Sequence, residues 1–190
     1  MDTFEFISTH DFRTALVHCL TAEKMEEYLW NWMQADFTLI DTKDRKLYWK
    51  ALVLKNTVTA QAYWTDKGDV WGVAIQSYLR ARETRREKTQ DDPKYIPPFQ
   101  AGEWRCSQLS KTDNHAISST TFDEFVRSLW WEQPAKRRHH VANLMLSHPS
   151  GSDPTAALAF WRWTDTKGRH DPYAKDLYAP IARSAMYHVF

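Results

Sequence analysis

Apolar residues recur three and four positions apart along most of this chain, and strict alternation is rare. Two such patterns occupy residues 10–20 and 22–34, and Thr21 stands before the second as a candidate N-cap. A third pattern begins near Asp41. Its apolar positions lie four, three and four residues apart: Leu47, Ala51, Leu54 and Val58. The spacing predicts three amphipathic helices in this part of the chain.

The end of the third pattern fits two structures. Residues 57–65 (TVTAQAYWT) alternate and include β-branched side chains, as a half-buried strand would. They either continue the helix, which the preceding spacing favours, or belong to a small β-hairpin near 47–65.

A fourth helical pattern covers residues 69–88, and the prolines that follow argue against regular helix. These are Pro93, Pro97 and Pro98. Residues 107–120 are small and polar, which makes them the best candidate for a linker.

The chain beyond this segment predicts four more helices. Thr121 and Glu124 have the spacing of a capping box, and a second helix covers 135–147. The dipeptide Asp153-Pro154 is typical of an N-cap followed by proline at the first helical position. Pro172 opens a last helix, which extends to about residue 188.

These patterns predict an all-α fold, a compact helical domain of about seven or eight helices. We expect an N-terminal helical half at 1–106, a polar linker at 107–120 and a C-terminal helical half at 121–190. The two halves either remain separate or pack as one domain. A chain of 190 residues is long enough to bury a core of its own.

The two halves share an order of features. Arg45-Lys46 precedes an apolar segment at 49–54, as Arg137-Arg138 precedes one at 141–146. Amphipathic helices resemble one another by default, so duplication and chance similarity both stay open.

Composition excludes several classes of protein. The net charge of +1 argues against a strongly basic nucleic-acid protein. Only five glycines are present, which leaves little room for phosphate-binding loops. The sequence has no G-x-x-x-x-G-K-[ST], no G-x-G-x-x-G and no G-x-S-x-G nucleophile elbow. No nucleotide-binding or hydrolase class is therefore nominated by motif.

Cysteine and histidine residues nominate no metal site. Cys19 and Cys106 are too few for a disulfide framework, and we expect two buried thiols in a reducing compartment. The eight histidines form no H-E-x-x-H arrangement, so we expect neither metal nor cofactor. Ser150-Gly151-Ser152 precedes a predicted helix, and helix capping explains it.

Targeting signals are equally sparse. The first eleven residues carry three acids and no apolar core of a signal peptide. The longest apolar runs, at 51–54 and 156–161, are too short to cross a bilayer. We expect a cytoplasmic, or at least intracellular, protein that has no membrane partner.

Two basic clusters carry the candidate chemistry. The first closes the fourth helix and consists of Arg80, Arg82, Arg85, Arg86 and Lys88. The second opens the helix at 135–147 and consists of Lys136, Arg137, Arg138, His139 and His140. Cationic side chains contact phosphates and release counterions. Trp130 and Trp131, next to the second cluster, can stack on exposed bases.

Helix electrostatics separates the two clusters. Cations at a helix C-terminus complement the helix dipole, which is enough to explain the first cluster. At an N-terminus each cation is unfavourable by ~0.3–1 kcal/mol, so the second cluster needs another explanation. We predict nucleic-acid contact by the following residues: Arg82, Arg85, Arg86, Lys136, Arg137, Arg138, Trp130 and Trp131.

Tryptophans also occur in close pairs. Members of the pairs Trp30/Trp32 and Trp161/Trp163 diverge by about 200° around a helix, so they cannot face one core. Trp130 and Trp131 are adjacent and diverge as well. We expect one member of each pair to contact another helix layer, a partner or a base.

Residues 22–104 run as an acidic-aromatic helix, a basic-aromatic helix, a helix ending in basic residues and then DDPKYIPPFQAGEW. This order resembles the C-terminal segment of phage replication-organiser and helicase-loader proteins, which carry a similar Lys-Tyr-Ile-Pro loop followed by tryptophans. The matching residues are Lys94, Tyr95, Ile96, Pro97 and Trp104. The sequence departs from the family at 99–102, where Phe-Gln-Ala-Gly intervenes. The resemblance implies a non-enzymatic module that binds single-stranded DNA or a helicase.

Three functions follow in order of preference. The first is a non-catalytic accessory protein that binds single-stranded DNA or RNA, or a nucleic-acid-processing complex, through basic helix ends and tryptophans. The second is an interaction module that inhibits or scaffolds a partner protein, with its extra indoles as binding hot spots. The third is a small enzyme with an aromatic-lined pocket.

Overall fold

The structure is a computed structural model, and it describes residues 10–35, 43–65, 70–87, 95–109, 117–129 and 134–166. These residues form eight α-helices and contain no β-strand, which confirms the all-α prediction. In chain order the helices are α1 (His10–Ala22), α2 (Glu26–Gln34), α3 (Lys43–Trp64), α4 (Val70–Glu87), α5 (Phe99–Leu109), α6 (Ser119–Ser128), α7 (Pro134–Leu146) and α8 (Thr155–Thr166). The helix predicted after Pro172 lies outside the described residues.

The chain divides into two compact units, unit 1 at Met1–Trp104 and unit 2 at Arg105–Phe190. The boundary falls inside α5. The predicted linker at 107–120 has helical residues at both ends, 107–109 in α5 and 119–120 in α6, and its middle at 110–116 is outside the description.

Helix α3 is the centre of unit 1, because α1, α2 and α4 all pack against it. Its buried side chains are spread around the helix: Trp49, Lys50, Ala51, Val53, Leu54, Thr57, Val58, Ala60 and Gln61. A helix that is covered on several sides needs no single apolar stripe. Because the apolar residues surround α3, the helical period is weak in its sequence, and residues 57–65 fit a strand as well as a helix.

The alternative of a β-hairpin near 47–65 is wrong, since these residues belong to one continuous helix as far as Trp64. The β-branched threonines fit the helix because each hydroxyl bonds a carbonyl one turn earlier. Thr57 donates to Val53 O at 2.9 Å, and Thr59 donates to Lys55 O at 2.8 Å.

The prediction that Thr21 caps the second helix is also wrong. Thr21 lies inside α1, where it is buried and donates to Val17 O at 2.8 Å. It shares the buried face of α1 with Arg13 and Val17, four residues apart. Cys19 points to the opposite, exposed side, so the expectation of two buried thiols holds only for Cys106.

Helix α1 ends in a Schellman motif around Lys24. Met25 N donates to Leu20 O at 2.8 Å, and Lys24 N donates to Thr21 O at 3.1 Å. Lys24 has φ +57°, a left-handed conformation that usually belongs to glycine. The turn brings α2 back against α3, where Leu29, Trp30 and Met33 are buried.

The sequence patterns do not predict helix α5, because the prolines before it argue against regular helix. Pro97 and Pro98 precede the helix instead of interrupting it, and Pro98 O accepts a hydrogen bond from Gly102 N at 2.9 Å. A proline just before a helix lacks only an N–H that the helix does not use.

Two helix starts in unit 2 test the capping predictions. Helix α6 begins at Ser119, before Thr121, and Ser118 is the N-cap residue, whose carbonyl accepts from Phe122 N at 3.0 Å. The predicted capping box at Thr121 is therefore wrong. The predicted N-cap at Asp153 is confirmed, because its Oδ1 accepts from Thr155 N at 2.9 Å. The side chain of Thr155 and, after it, this backbone bond lower the pKa of the Asp153 carboxyl.

Helices α7 and α8 pack on each other through a small apolar core made of Ala142, Leu146, Ala157 and Phe160, with Trp163 packed against it. This core determines which side chains of the two helices are neighbours at the surface.

Candidate nucleic-acid interface

The second basic cluster lies in the first two turns of α7. Arg137 and Arg138 are exposed and Lys136 is half-buried. The first turn of this helix contains no acidic residue. The positive end of the helix dipole and three cationic side chains therefore coincide, which concentrates positive potential at the start of α7.

Arg138 stacks on an indole of the neighbouring helix. Its guanidinium carbon lies 4.7 Å from the ring centroid of Trp163 in α8. Trp163 itself is half-buried against the apolar core of unit 2. A cation over an indole face gains about 0.5–1 kcal/mol at an exposed site. The contact holds one side of the guanidinium plane against the ring, while Arg138 as a whole remains exposed.

A series of rings continues inward from this contact. Trp163 lies 5.8 Å from Phe160, and Phe160 lies 6.1 Å from His139, measured between ring centroids. His139 in turn lies 5.4 Å from His140. The series connects the basic start of α7 to α8 through tilted rings, so the position of Arg138 depends on how these two helices pack.

The two histidines of the cluster carry little charge at neutral pH. Burial and, to a smaller extent, the nearby Lys136 ammonium lower the pKa of His139 to about 4. Burial likewise lowers the pKa of His140 to about 4. Asn143 Nδ2 lies 2.9 Å from His139 Nε2 and donates to it, since an amide nitrogen only donates. The positive charge at this site comes from Lys136, Arg137 and Arg138.

The first basic cluster has a different environment, in unit 1. Arg80 forms two hydrogen bonds to Glu27 of α2, at 2.5 Å and 3.0 Å. Its guanidinium carbon also lies 4.4 Å from the ring centroid of Trp30. The hydrogen bond from Arg80 is the main reason why the pKa of the Glu27 carboxyl is lowered. Glu27 of α2 therefore neutralises Arg80 of α4.

The other predicted site residues are distributed unevenly. Arg82 is half-buried, while the structure describes only the backbone of Arg85 and Arg86, in α4. Trp130 and Trp131 lie outside the described residues. The two basic clusters belong to different compact units. Of the predicted site residues whose side chains are described, Lys136, Arg137 and Arg138 lie together at the start of α7, and Arg82 lies apart from them in α4.

The prediction for the tryptophan pairs is confirmed for Trp161/Trp163. Trp161 is 43% exposed, whereas Trp163 packs on the core. Trp30 and Trp32 also have different neighbours, because Trp30 is buried under Arg80 and Trp32 meets Trp49 edge-on at 4.8 Å.

Burial removes two further arginines from any phosphate-binding surface. Arg13 is 4% exposed and Arg105 is fully buried. Loss of hydration on burial lowers the pKa of both guanidinium groups, that of Arg105 to about 9. Sequence alone gave no sign of this, since arginine is rarely buried.

Unit 1 also has an open groove of about 540 Å³ between α3 and α5. Its lining residues are Tyr48, Leu52, Lys55, Gln100, Glu103 and Trp104. The groove mixes one cation, one acid and two aromatic rings, as a small polar ligand site does.

The described ranges contain neither a cluster of metal-ligating side chains nor a helix suited to a membrane. No group of three or more His, Cys, Asp or Glu side chains there is placed to hold a metal ion. Among the same residues, no helix has the length and apolarity needed to cross a membrane.

Comparison with known proteins identifies no relative: no protein-family model, no curated protein and no solved structure matches this chain. The function must therefore be argued from the chemistry of the site itself.

Sequence reasoning found the cations of α7 but missed their aromatic partner. It placed the stacking function on the neighbours in the chain, Trp130 and Trp131, whereas the ring that contacts Arg138 is Trp163 of the next helix. The i, i+2 spacing of Trp161 and Trp163 was the available signal, because it required one indole to leave the core face.

Proposed function

We propose that this protein is an accessory protein that binds single-stranded nucleic acid at the start of α7 and the adjoining surface of α8. The observation that supports the proposal is the stacking of exposed Arg138 on Trp163 at a cationic helix N-terminus. The substrate would be DNA or RNA in an unpaired form, because flat stacking groups need unstacked bases.

Each part of this surface has a separate task in the proposal. Lys136 and Arg137 neutralise phosphates, helped by the positive end of the helix dipole. Arg138 presents the outer side of its guanidinium plane to a base, and Trp163 holds that plane in place. A base stacked on Arg138 would thus lie at the outer end of the series formed by Trp163, Phe160 and His139.

The test is a salt-titrated binding assay with the full chain. A fluorescent single strand of about 20 nucleotides is titrated at ~50 mM and ~200 mM salt, beside the duplex of the same sequence. We expect the single strand to bind more tightly than the duplex and to weaken as salt rises. Absence of binding at low salt, or equal binding of strand and duplex, contradicts the proposal.

The resemblance to phage replication-organiser and helicase-loader proteins is compatible with this proposal and stays a prediction. Of its matching residues, Tyr95 and Ile96 are buried, Pro97 and Trp104 are half-buried, and Lys94 lies outside the described residues. Tyr95 and Ile96 thus contribute to the interior of unit 1, so a helicase would have to contact other side chains.

A second candidate, a module that inhibits or scaffolds a partner protein, is favoured by an aromatic patch on unit 1. Tyr63 is 72% exposed and Trp64 is 48% exposed, and their ring centroids are 4.9 Å apart. Trp64 Nε1 donates to His18 Nδ1 at 3.2 Å, which holds the indole in place. Rigid exposed aromatic rings are typical binding hot spots.

This second candidate makes a distinct prediction. Proteins that co-purify with the chain should be lost from the Trp64→Ala variant and retained by the Arg138→Ala variant. If nuclease treatment releases these proteins from the original chain and Arg138→Ala lacks them without nuclease, the contacts pass through nucleic acid and the first proposal is preferred.

A further inference from the structure

Unit 2 contains a serine, a histidine and an aspartate in hydrogen-bonded sequence, apart from the proposed nucleic-acid site. Ser150 Oγ lies 2.8 Å from His148 Nδ1, and His148 Nε2 lies 3.2 Å from Asp123 Oδ1. Asp123 belongs to α6, whereas His148 and Ser150 lie in the turn between α7 and α8. The imidazole is nearly covered, with 10% of its side chain exposed, while Ser150 is exposed.

The hydrogen bonds determine which nitrogen of His148 carries the proton. The Ser150 backbone N–H donates to Nδ1 at 3.2 Å, so Nδ1 presents its lone pair toward Ser150. The neutral ring then has its proton on Nε2, where the Asp123 carboxylate accepts it. Phe122 holds the ring edge-on at 5.2 Å. The lone pair of a fixed imidazole therefore faces an exposed hydroxyl.

Helix capping does not account for Ser150. The cap of α8 comes from Asp153, which binds Thr155 N, and the Ser150 hydroxyl is directed to His148 instead. The roles of the three groups are those of a serine-hydrolase triad, with the two ring nitrogens exchanged.

From this geometry we infer that Ser150 is an activated nucleophile that accepts acyl groups from small esters. Ser150 Oγ attacks the ester carbonyl carbon while its proton passes to His148 Nδ1, and Asp123 stabilises the imidazolium. The bond to the leaving alcohol then breaks, and that alcohol takes the proton from Nδ1. Water then gives a proton to the same nitrogen and attacks the carbonyl carbon of the acyl–Ser150 ester. The acyl group leaves as a carboxylic acid, and the proton on Nδ1 returns to Ser150 Oγ.

The backbone of Ser150 has a part in this step. Once Nδ1 is protonated it no longer accepts the Ser150 N–H, which becomes available to the negative oxygen of the tetrahedral intermediate. In serine proteases the N–H of the nucleophile is likewise one of the two oxyanion donors. Gly151, with φ +124° and open space where a Cβ would be, leaves the approach to Ser150 uncrowded.

The position of Ser150 selects the substrate class. An exposed hydroxyl on a turn suits a small acyl donor with a good leaving group, and an ester that needs a deep binding pocket is disfavoured. Asp123 is a positioning residue, since it acts only through His148.

The experiment is a labelling test with the full chain. A fluorophosphonate probe forms an Oγ–P bond, expels fluoride and passes the hydroxyl proton to His148, and mass spectrometry then locates the adduct. We expect a single adduct on Ser150, absent from Ser150→Ala and unchanged in the matched control Ser152→Ala. Asp123→Asn should slow labelling at least tenfold, and His148→Asn about a hundredfold, as loss of a general base does.

Denaturant unfolding of each variant separates reactivity from folding. Asp123 is half-exposed, so Asp123→Asn is expected to keep its unfolding midpoint while it loses reactivity. The release of p-nitrophenol from p-nitrophenyl acetate gives a second readout, with a burst that Ser150→Ala lacks. Labelling of Ser152 at the same rate as Ser150, or a rate that His148→Asn leaves unchanged in a folded protein, overturns the inference.

Discussion

The guanidinium carbon of Arg138 lies 4.7 Å above the indole of Trp163, and the two residues belong to different helices. This contact exists because α7 and α8 share the core around Phe160. The contact holds the Arg138 guanidinium plane in one orientation at the start of α7. The proposed binding of single strands depends on that plane as much as on its charge.

The Arg138→Ala and Arg138→Lys variants separate these two contributions. Removal of stacking costs about 1–3 kcal/mol per base, so Arg138→Ala should weaken single-strand binding about 5- to 150-fold. The Arg138→Lys variant should bind the single strand with the same salt dependence as the original chain but with lower affinity, since lysine has no planar face. Fluorescence anisotropy at two salt concentrations measures both effects.

Arg127→Ala provides the matched control, because Arg127 is also an exposed arginine of unit 2. It should reduce affinity far less than Arg138→Ala. Equal losses from both arginines would mean that only net charge matters and that the stacking contact has no role.

Acid should destabilise unit 2 through His139 and His140. Their pKa values are lowered by burial to about 4 in the folded protein, against about 6.5 when unfolded. The unfolded chain therefore binds more protons between these values, and stability falls as the pH drops from about 6.5 toward 4. Between pH 7 and pH 5 we expect a loss of about 1 kcal/mol per ring, allowing for solvent screening.

Urea unfolding at the two pH values, followed by circular dichroism, measures this loss. The double variant His139→Gln/His140→Gln should show a smaller difference between pH 7 and pH 5 than the original chain. A variant that keeps the full pH dependence would show that other groups are responsible.

Substitution in α3 should reveal how thoroughly this helix is buried. Leu54 is fully buried, so Leu54→Ala should lower the free energy of unfolding by about 2–5 kcal/mol. Leu158→Ala is the comparison, because Leu158 is 55% exposed and its loss should stay within about 0.5 kcal/mol. Similar losses of unfolding free energy for Leu54→Ala and Leu158→Ala would contradict the central position of α3 in unit 1.

Lys24 offers a site for stabilisation. A non-glycine residue in the left-handed region costs about 1–2 kcal/mol, so Lys24→Gly should stabilise unit 1 by about 0.5–1 kcal/mol after glycine's larger backbone entropy is subtracted. Lys24→Ala removes the same charge and keeps the strained conformation. Thermal unfolding should place the alanine variant at or below the original chain and the glycine variant above it.

Local pattern was sufficient for most of the helices. The amphipathic spacing predicted α1, α4 and α7 to within a few residues, and Asp153 was recognised as a cap because its carboxylate acts on neighbours in the chain. The spacing does not predict a helix clearly where contacts with distant parts of the chain bury several of its sides. Helix α3 is covered by three other helices, so its apolar residues surround it and its period fades.

The candidate site was predictable only in part, for the same reason. A run of cations at the start of α7 is visible in the sequence, and its misfit with the helix dipole singled it out. The ring beneath Arg138 was not visible, because stacking depends on which helix packs beside which. The pairing of His148 with Asp123 likewise joins the turn after α7 to helix α6, which no spacing rule connects.

The sequence by itself determined the helical class, most helix positions and the location of the charged clusters, since these follow from side-chain period and local capping. Only the tertiary structure decided that Glu27 neutralises Arg80, that Trp163 supports Arg138 and that His148 pairs with Asp123. The first group of properties depends on residues within one or two turns of a helix. The second depends on how helices pack, which brings together side chains that the linear order keeps apart.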